Sequence, residues 1–224
     1  MSFYLWGAKA LPEGSDSASR LALAARDLGY KGLIICSCEP LRVFRMQASR
    51  QIKGIEVEYG AEVDVANARA LHSRLSASRA AYPFLLVEAS SEEIINAACE
   101  SPNVDALLLS ADRRLSIAAA RAARQSQVAI GFDLSPFFRL RGSPRARWLE
   151  ALRRNLGLAR KFDLLLILTC RARSRLDLRG PREILAMAEV AGFEPAEAEE
   201  AMQLPERILK ENKRRWLGPG VVLI

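Results

Sequence analysis

Seven apolar runs of strand length recur along the 224 residues, with stretches of helical periodicity between them. This alternation narrows the choice of fold more than any other feature. The runs are Phe3–Gly7, Gly32–Cys36, Gly54–Tyr59, Phe84–Glu88, Asp105–Leu109, Val128–Asp133 and Leu164–Thr169. Several are continuous, such as "DALLLS" and "LLLILT", which suits parallel strands buried on both faces. Between them, "DSASRLALAARDLGYKG" predicts a helix that starts near Ser15–Ser17 and ends at Gly29. "VANARALHSRLSASR" and "RLSIAAARAARQS" place apolar residues at helical spacing, with arginines on the other side. In "PRARWLEALRRNLGLARK", Pro144 sits near the start, and Trp148, Leu152 and Leu156 recur every four residues. Strands and helices that alternate across short loops imply βα units with right-handed crossovers. About seven such units with few insertions predict an α/β, TIM-barrel-like fold of parallel strands. No repeat, low-complexity tract or linker divides residues 1–224, so a single barrel domain is expected. After Leu178 the pattern is purely helical, which predicts a helical extension from about residue 181. Its pieces are Pro181–Ala191 closed by Gly192, then Pro195–Met202, then Pro205–Arg215.

The net charge of +7 comes from one segment. Residues 1–138 hold 15 basic and 15 acidic side chains, residues 139–182 hold 13 and 3, and residues 183–224 hold 5 and 8. A local surplus of this kind is the footprint expected of a polyanion binder. A solvated, Arg-rich face of the sort found in heat-adapted proteins is the alternative that charge alone leaves open. Arginine outnumbers lysine 27 to 6, and its planar fork suits bidentate phosphate contacts. No cationic stretch followed by an apolar h-region opens the chain, and the apolar run Leu164–Cys170 is too short to span a bilayer. Neither a secretory leader nor membrane association is expected. The cysteines Cys36, Cys38, Cys99 and Cys170 lack zinc-knuckle spacing. They read as reduced, mostly buried thiols of a cytoplasmic protein.

Chemistry in such a barrel belongs at the carboxyl ends of the strands. Those ends read "LWGA", "CSCEP", "VEYG", "VEAS", "LLSADRR", "FDLSP" and "LTCRARS", and they offer Glu39, Glu58, Glu88, Asp112 and Asp133. Scattered carboxylates can hold Mg²⁺, but a phosphoesterase barrel also needs imidazoles for transition metals. The one histidine, His72, falls in a helix and reads as a surface or half-buried helix residue. There is no Gly-x-Ser-x-Gly elbow and no Gly-rich phosphate loop, so no catalytic residue is assigned. The strand ends supply cations instead. Arg139, Arg141, Arg145 and Arg147 flank the loop after strand six, and Arg171, Arg173, Arg175 and Arg179 flank the loop after strand seven. Consecutive barrel loops are neighbours, so both sets are expected to form one exposed patch that binds RNA phosphates. Arg79 and Arg113 are weaker candidates at the ends of other elements. Some of these arginines are expected to pair with Glu150, Asp177 or Glu183 instead.

Long stretches also carry a family resemblance. "LVEASSEEIINAACESPNVDALLLS" resembles a strand–helix–strand block of the archaeal ribonuclease P protein component 3 family, a barrel subunit related to a eukaryotic 30-kilodalton subunit. "VAIGFDLSPFFRLRGSPRARWLEALRRNLGLARKFDLLLILTCRARSRLDLRGPREILAMAEVAGF" is similar to the same family. So are "LGYKGL" and the closing "AMQLPERILKENKRR". The similarity runs in order from about Phe3 to Arg215. It implies a barrel of the metal-dependent phosphoesterase type that serves as a protein subunit of ribonuclease P. That ribonucleoprotein removes 5′ leaders from precursor tRNA, and its RNA performs the chemistry with Mg²⁺. By this resemblance the chain itself binds no cofactor. Its partners would be the ribonuclease P RNA, protein component 2 in a heterodimer or heterotetramer, and precursor tRNA indirectly. The low-charge helix face at Ala66–Arg74 is a candidate surface for the protein partner.

The chain departs from the wider phosphoesterase group where that group binds metal. "FYLWG" replaces an early His-x-His element, Ser110-Ala111-Asp112 stands where some relatives carry Ser-His-Pro, and Arg171-Ala172-Arg173 stands where many carry Gly-Ala-His. Two other readings remain at this point: a Mg²⁺-dependent phosphoesterase using Glu88, Asp112 and Asp133, and a scaffold whose basic patch meets an acidic protein. The purified chain is expected to show no Mn²⁺- or Mg²⁺-dependent cleavage of a generic phosphodiester. Such an activity, abolished by Asp133→Ala, would contradict the non-catalytic reading.

Overall fold

The computed structural model describes residues 2–39, 52–89, 91–109, 113–218 and 221–222. Seven parallel strands pair in chain order: β1 (Tyr4–Ala8), β2 (Gly32–Ser37), β3 (Glu56–Val63), β4 (Leu85–Ala89), β5 (Ala106–Leu109), β6 (Ala129–Asp133) and β7 (Leu166–Thr169). The sheet curls until β7 returns to β1, making a nearly closed barrel. Trp6 Nε1 donates to the Leu168 carbonyl at 2.6 Å, Thr169 Oγ1 donates to the Trp6 carbonyl at 2.5 Å, and Lys9 N donates to the Ala172 carbonyl at 2.8 Å. The helices α1 (Ala18–Asp27), α2 (Ala68–Arg79), α3 (Glu92–Glu100), α4 (Ile117–Ser126), α5 (Pro136–Arg139), α6 (Gly142–Lys161) and α7 (Pro181–Ala191) follow their strands. Ser17, Asn67, Ser91 and Ser116 each cap a helix by accepting a backbone N–H three residues on, which satisfies a donor that the first turn cannot.

Side-chain alternation along the strands sorts the core into two parts. Outward residues such as Leu5, Leu33, Leu85 and Ile130 pack against the helices. Tyr4, Trp6, Ile34, Phe84, Leu86, Leu108 and Ile167 fill the barrel. Trp6 is wholly buried, and the small residue opposite makes room for it. A Cβ at Gly131 would lie 2.8 Å from Trp6 Cη2. Burial raises the thiols of Cys36, Cys99 and Cys170 to about 12, so they stay protonated and act as small apolar groups.

Three expectations need correction here. Strand β3 runs four residues past Tyr59, to Val63. Gly60 belongs in the strand because a Cβ there would meet the Phe84 carbonyl oxygen at 2.8 Å. The helices expected on either side of Pro205 are one helix, α8 (Pro195–Arg215), because its buried residues on both sides of the proline cover the base of the barrel. Leu204, Ile208 and Leu209 join the barrel-filling cluster, and that burial outweighs a proline cost of about 3 kcal/mol. The end is also not purely helical, since β8 (Trp216–Gly218) and β9 (Val221–Val222) form an antiparallel pair. The segment from residue 181 is integral to the barrel, with α7 in the outer layer beside α6 and α8 across the base.

Polar contacts fasten α8 to the amino ends of the strands. Asp105 accepts from Asn212 at 2.8 Å, from Arg79 at 2.6 Å and from the Leu85 N–H at 2.6 Å. Lys213 pairs with Glu58. Burial pushes the Asp105 carboxyl above its ordinary value, against the pull of Arg79 and Asn212. Arg79 therefore sits at the base, at the opposite end from the βα loops, and fastens the fold there. Replacing it with alanine would leave a buried carboxylate short of its cation, at about 3 kcal/mol in a urea unfolding series. An unchanged unfolding midpoint would show that Arg79 is a free surface cation.

Candidate functional site

At the carboxyl end of the barrel the inward positions turn from apolar to charged. The inward register of β7 continues from Ile167 through Thr169 to Arg171, whose backbone sits at φ +41°. Thr169 Oγ1 accepts the Arg171 N–H at 3.0 Å, which fixes the exit of the strand. The Arg171 guanidinium reaches Glu62 at 3.3 Å and Glu88 at 3.1 Å. On the other side of Glu62, Lys9 binds at 2.9 Å and also pairs with Glu13 at 3.1 Å. Glu13 in turn accepts from the Ser37 hydroxyl and from the Cys38 N–H. Burial alone would raise the Glu13 carboxyl, but the Ser37 hydroxyl and the Lys9 ammonium outweigh it and hold the group below its ordinary value. Burial works against charge on Lys9 and Arg171, and their carboxylate neighbours carry both above their ordinary values. The result is a chain of alternating charges across the mouth, Glu13–Lys9–Glu62–Arg171–Glu88.

Asp133 closes the ring of inward carboxylates. Its two oxygens accept the Ser135 N–H and hydroxyl, both at 2.8 Å, which anchors the turn into α5. Burial raises its carboxyl, with Ser135, Arg171 and Arg139 opposing. The Arg171 guanidinium is fixed on Glu62 and Glu88, and its charge also acts on Asp133. Among the described residues no His, Cys, Asp and Glu side chains group into a metal-holding set. Arginine stays protonated, so Arg171 itself cannot shuttle a proton at neutral pH.

The arginines flagged from the sequence divide into distinct roles. Arg171 was expected on an exposed loop, but it is 9% exposed because the register of β7 turns it inward onto two glutamates. Arg139, Arg141, Arg147 and Arg173 are exposed. Arg139 and Arg173 line a single cleft of about 380 Å³ over the mouth, with Asp133 and Arg171 at its floor and Trp148 in its wall. The loops after β6 and β7 thus meet, and the contact of Arg179 with Phe138 bridges them. The Arg179 guanidinium lies 4.3 Å from the centre of the Phe138 ring, and Arg145 lies 5.4 Å from that of Phe137. Arg145 also donates to the Leu140 carbonyl and Arg179 to those of Leu176 and Leu178. Arg175 faces Asp16 at 3.7 Å. The partners expected for these arginines do other work: Asp177 accepts the Arg173 and Ser174 amides, and Glu183 caps α7 at the Gly180 N–H. Arg113 is exposed, and its carbonyl accepts from Asn155. Asp112 and Ser110-Ala111 lie outside the described residues. Glu58 is at the base and not at the mouth, so Glu62 is the glutamate of β3 that belongs to the site. His72 is exposed on α2.

The family model described as "RNase P subunit p30" matches residues 9–217 of this sequence. The chain belongs to the ribonuclease P subunit p30 family. Its relatives include ribonuclease P protein component 3 of Methanosarcina mazei, 37% identical over 98% of this chain and 92% of that protein. Ribonuclease P protein component 3 of Methanothermobacter thermautotrophicus is 31% identical over 93% of this chain and 91% of that protein. In three dimensions the p30-family barrel is similar to a chain of the cryo-EM structure of archaeal ribonuclease P with mature tRNA. The TM-score is 0.78 at 20% identity, covering 99% of this chain and 97% of the other. The barrel is also similar, with a TM-score of 0.53 at 10% identity, to histidinol phosphate phosphatase from Lactococcus lactis, solved with zinc, L-histidinol and phosphate. That match covers 86% of this chain and 95% of the phosphatase. Both structural likenesses concern the fold.

Arg171 and Arg173 stand two residues apart and should behave differently. Arg171→Ala would leave Glu88 without its ion-pair partner and the buried Glu62 with Lys9 alone, and lower stability by about 3 kcal/mol in chemical denaturation. Arg173→Ala, at an exposed position, should stay within about 0.5 kcal/mol of the parent. Equal stability of the two variants would contradict the buried network.

Proposed function

We infer that this chain is a protein subunit of ribonuclease P and that it binds and stabilises the catalytic RNA that removes 5′ leaders from precursor tRNA. The observation that carries this reading is the p30-family match over residues 9–217, on a barrel whose inner cations are paired with carboxylates while further cations stand exposed on its rim. Arg139, Arg141 and Arg173 would neutralise phosphates and release condensed counterions, a contribution that does not depend on base sequence. The internal pairing of Arg171 supports this division, because it removes one cation from the surface and offsets part of the carboxylate charge that would repel RNA. The phosphoesterase reading is disfavoured by the same pairs, since Glu88 and Asp133 are engaged by Arg171 and Ser135.

In this account the chain holds no cofactor of its own, and the Mg²⁺ of the reaction belongs to the RNA. The protein partner is ribonuclease P protein component 2, in a heterodimer or heterotetramer, and the complex works in the cytoplasm. No helix among the described residues is long and apolar enough to cross a membrane.

The test is the salt dependence of binding to the catalytic RNA. Replacing Arg139, Arg141 and Arg173 by alanine should leave the fold intact and weaken binding across sequences. The slope of log affinity against log salt should shrink by roughly two to three, at about 0.9 per lost phosphate contact. A folded triple variant with the parent slope would overturn the assignment of RNA binding to the rim.

A further inference from the structure

Helix α6 leaves the barrel mouth at Gly142 and runs down the outside to Lys161. Its buried face is Trp148, Leu152, Asn155, Leu156 and Ala159. Two stripes of cations flank that face, and the structure uses them differently. Arg153 donates to the carbonyls of Val190 and Ala191, and Arg160 binds Glu197 at 2.7 Å and the Gly192 carbonyl at 2.8 Å. Those two arginines tie α6 to the α7–α8 corner. On the side facing α4 stand Arg147, Arg154 and Lys161, each seven residues from the next, all exposed. Seven residues make nearly two helical turns, so the three lie in one row with about 10 Å between neighbours and about 21 Å from end to end. None has a hydrogen-bond or ion-pair partner among the described residues. Glu150, on the same helix, forms no ion pair with Arg147 or Arg154. Arg154 and Lys161 border a cleft against the start of α4, and Arg114 faces them across it.

We propose that this row is a second RNA-contacting face, binding the phosphate backbone of an RNA segment that passes from the barrel mouth down the outside of α6. The proposal rests on the reading of the mouth rim as RNA-binding and extends it to a separate surface. The charge pattern favours RNA over an acidic protein. The cations are evenly spaced along a line that begins near the rim, as a backbone-tracking contact requires, and the row itself carries no aromatic anchor of the kind that dominates protein interfaces. The neighbouring Arg153 and Arg160 show what α6 does with an arginine that serves the fold. The row lacks such contacts, so folding gives no reason for three cations there.

Three variants separate the possibilities. The first is Arg147→Ala with Arg154→Ala and Lys161→Ala, the second is the rim variant at Arg139, Arg141 and Arg173, and the third is Arg153→Ala as a structural control. Each is measured for thermal midpoint and for the salt slope of binding to transcribed ribonuclease P RNA. The row variant should melt like the parent and lose roughly two to three units of slope. The Arg153→Ala control should melt lower and keep the slope. A parent slope in the row variant together with a reduced slope in the rim variant overturns this proposal and leaves the rim reading standing. Parent slopes in both overturn both. A row variant that keeps its RNA slope but no longer co-purifies with a second protein subunit assigns the face to protein and also overturns the proposal.

Discussion

The guanidinium of Arg171, held between Glu62 and Glu88 inside the barrel mouth, sets the terms for the rest of this structure. Three inward carboxylates in a half-buried ring would repel one another and could not all stay charged without a compensating cation. Arg171, two residues past β7, and Lys9, one residue past β1, supply such cations from neighbouring positions in the barrel. The same two segments close the barrel, since Thr169 holds both the Trp6 carbonyl and the Arg171 amide, and Lys9 N binds the Ala172 carbonyl. Charge pairing and ring closure are therefore one arrangement. It occupies the place where a barrel of this shape would otherwise hold reacting groups, and the cations left over stand at the rim and along α6.

The two ends of the barrel are finished by different means. At the base, α8 covers the strands with apolar residues and is fastened by Asn212 and Lys213. At the mouth, short polar contacts among the described residues, such as Asp133 with Ser135, shape the loops. Phe138 of α5 joins the two arginine-bearing loops through Arg179, and Phe137 holds Arg145 within the first of them. Of the rim arginines, Arg139 stands on α5, Arg141 at the junction between α5 and α6, and Arg173 on the loop after β7.

Much of this was legible in the sequence, for physical reasons that differ by element. The starts of all seven strands fall within two residues of the apolar runs, because a parallel strand buried on both sides needs an unbroken run. Helix α7 was readable at both ends from Pro181 and Gly192. The last residues of β3 were missed because Gly60 looks like a turn, whereas its lack of a side chain admits the Phe84 carbonyl. That loss hid Glu62, although the alternation Glu56, Glu58, Gly60, Glu62 carried the signal. Arg171 was misread for a different reason. Its partners lie 109 and 83 residues away, and no local pattern reports a cation that is neutralised across the barrel. Pro205 inside α8 shows the same limit, where burial against the base overrides a local breaker.

Chemical modification of arginines by phenylglyoxal, mapped by mass spectrometry on the free chain and on its complex with ribonuclease P RNA, tests the central claim most directly. The account predicts that Arg171 is unreactive in both states, because its guanidinium is buried between two glutamates. Arg139, Arg141 and Arg173 should react readily in the free chain and become protected when RNA binds. An Arg171 that reacts as fast as Arg173 in the free chain, or rim arginines that react equally with and without RNA, would contradict it.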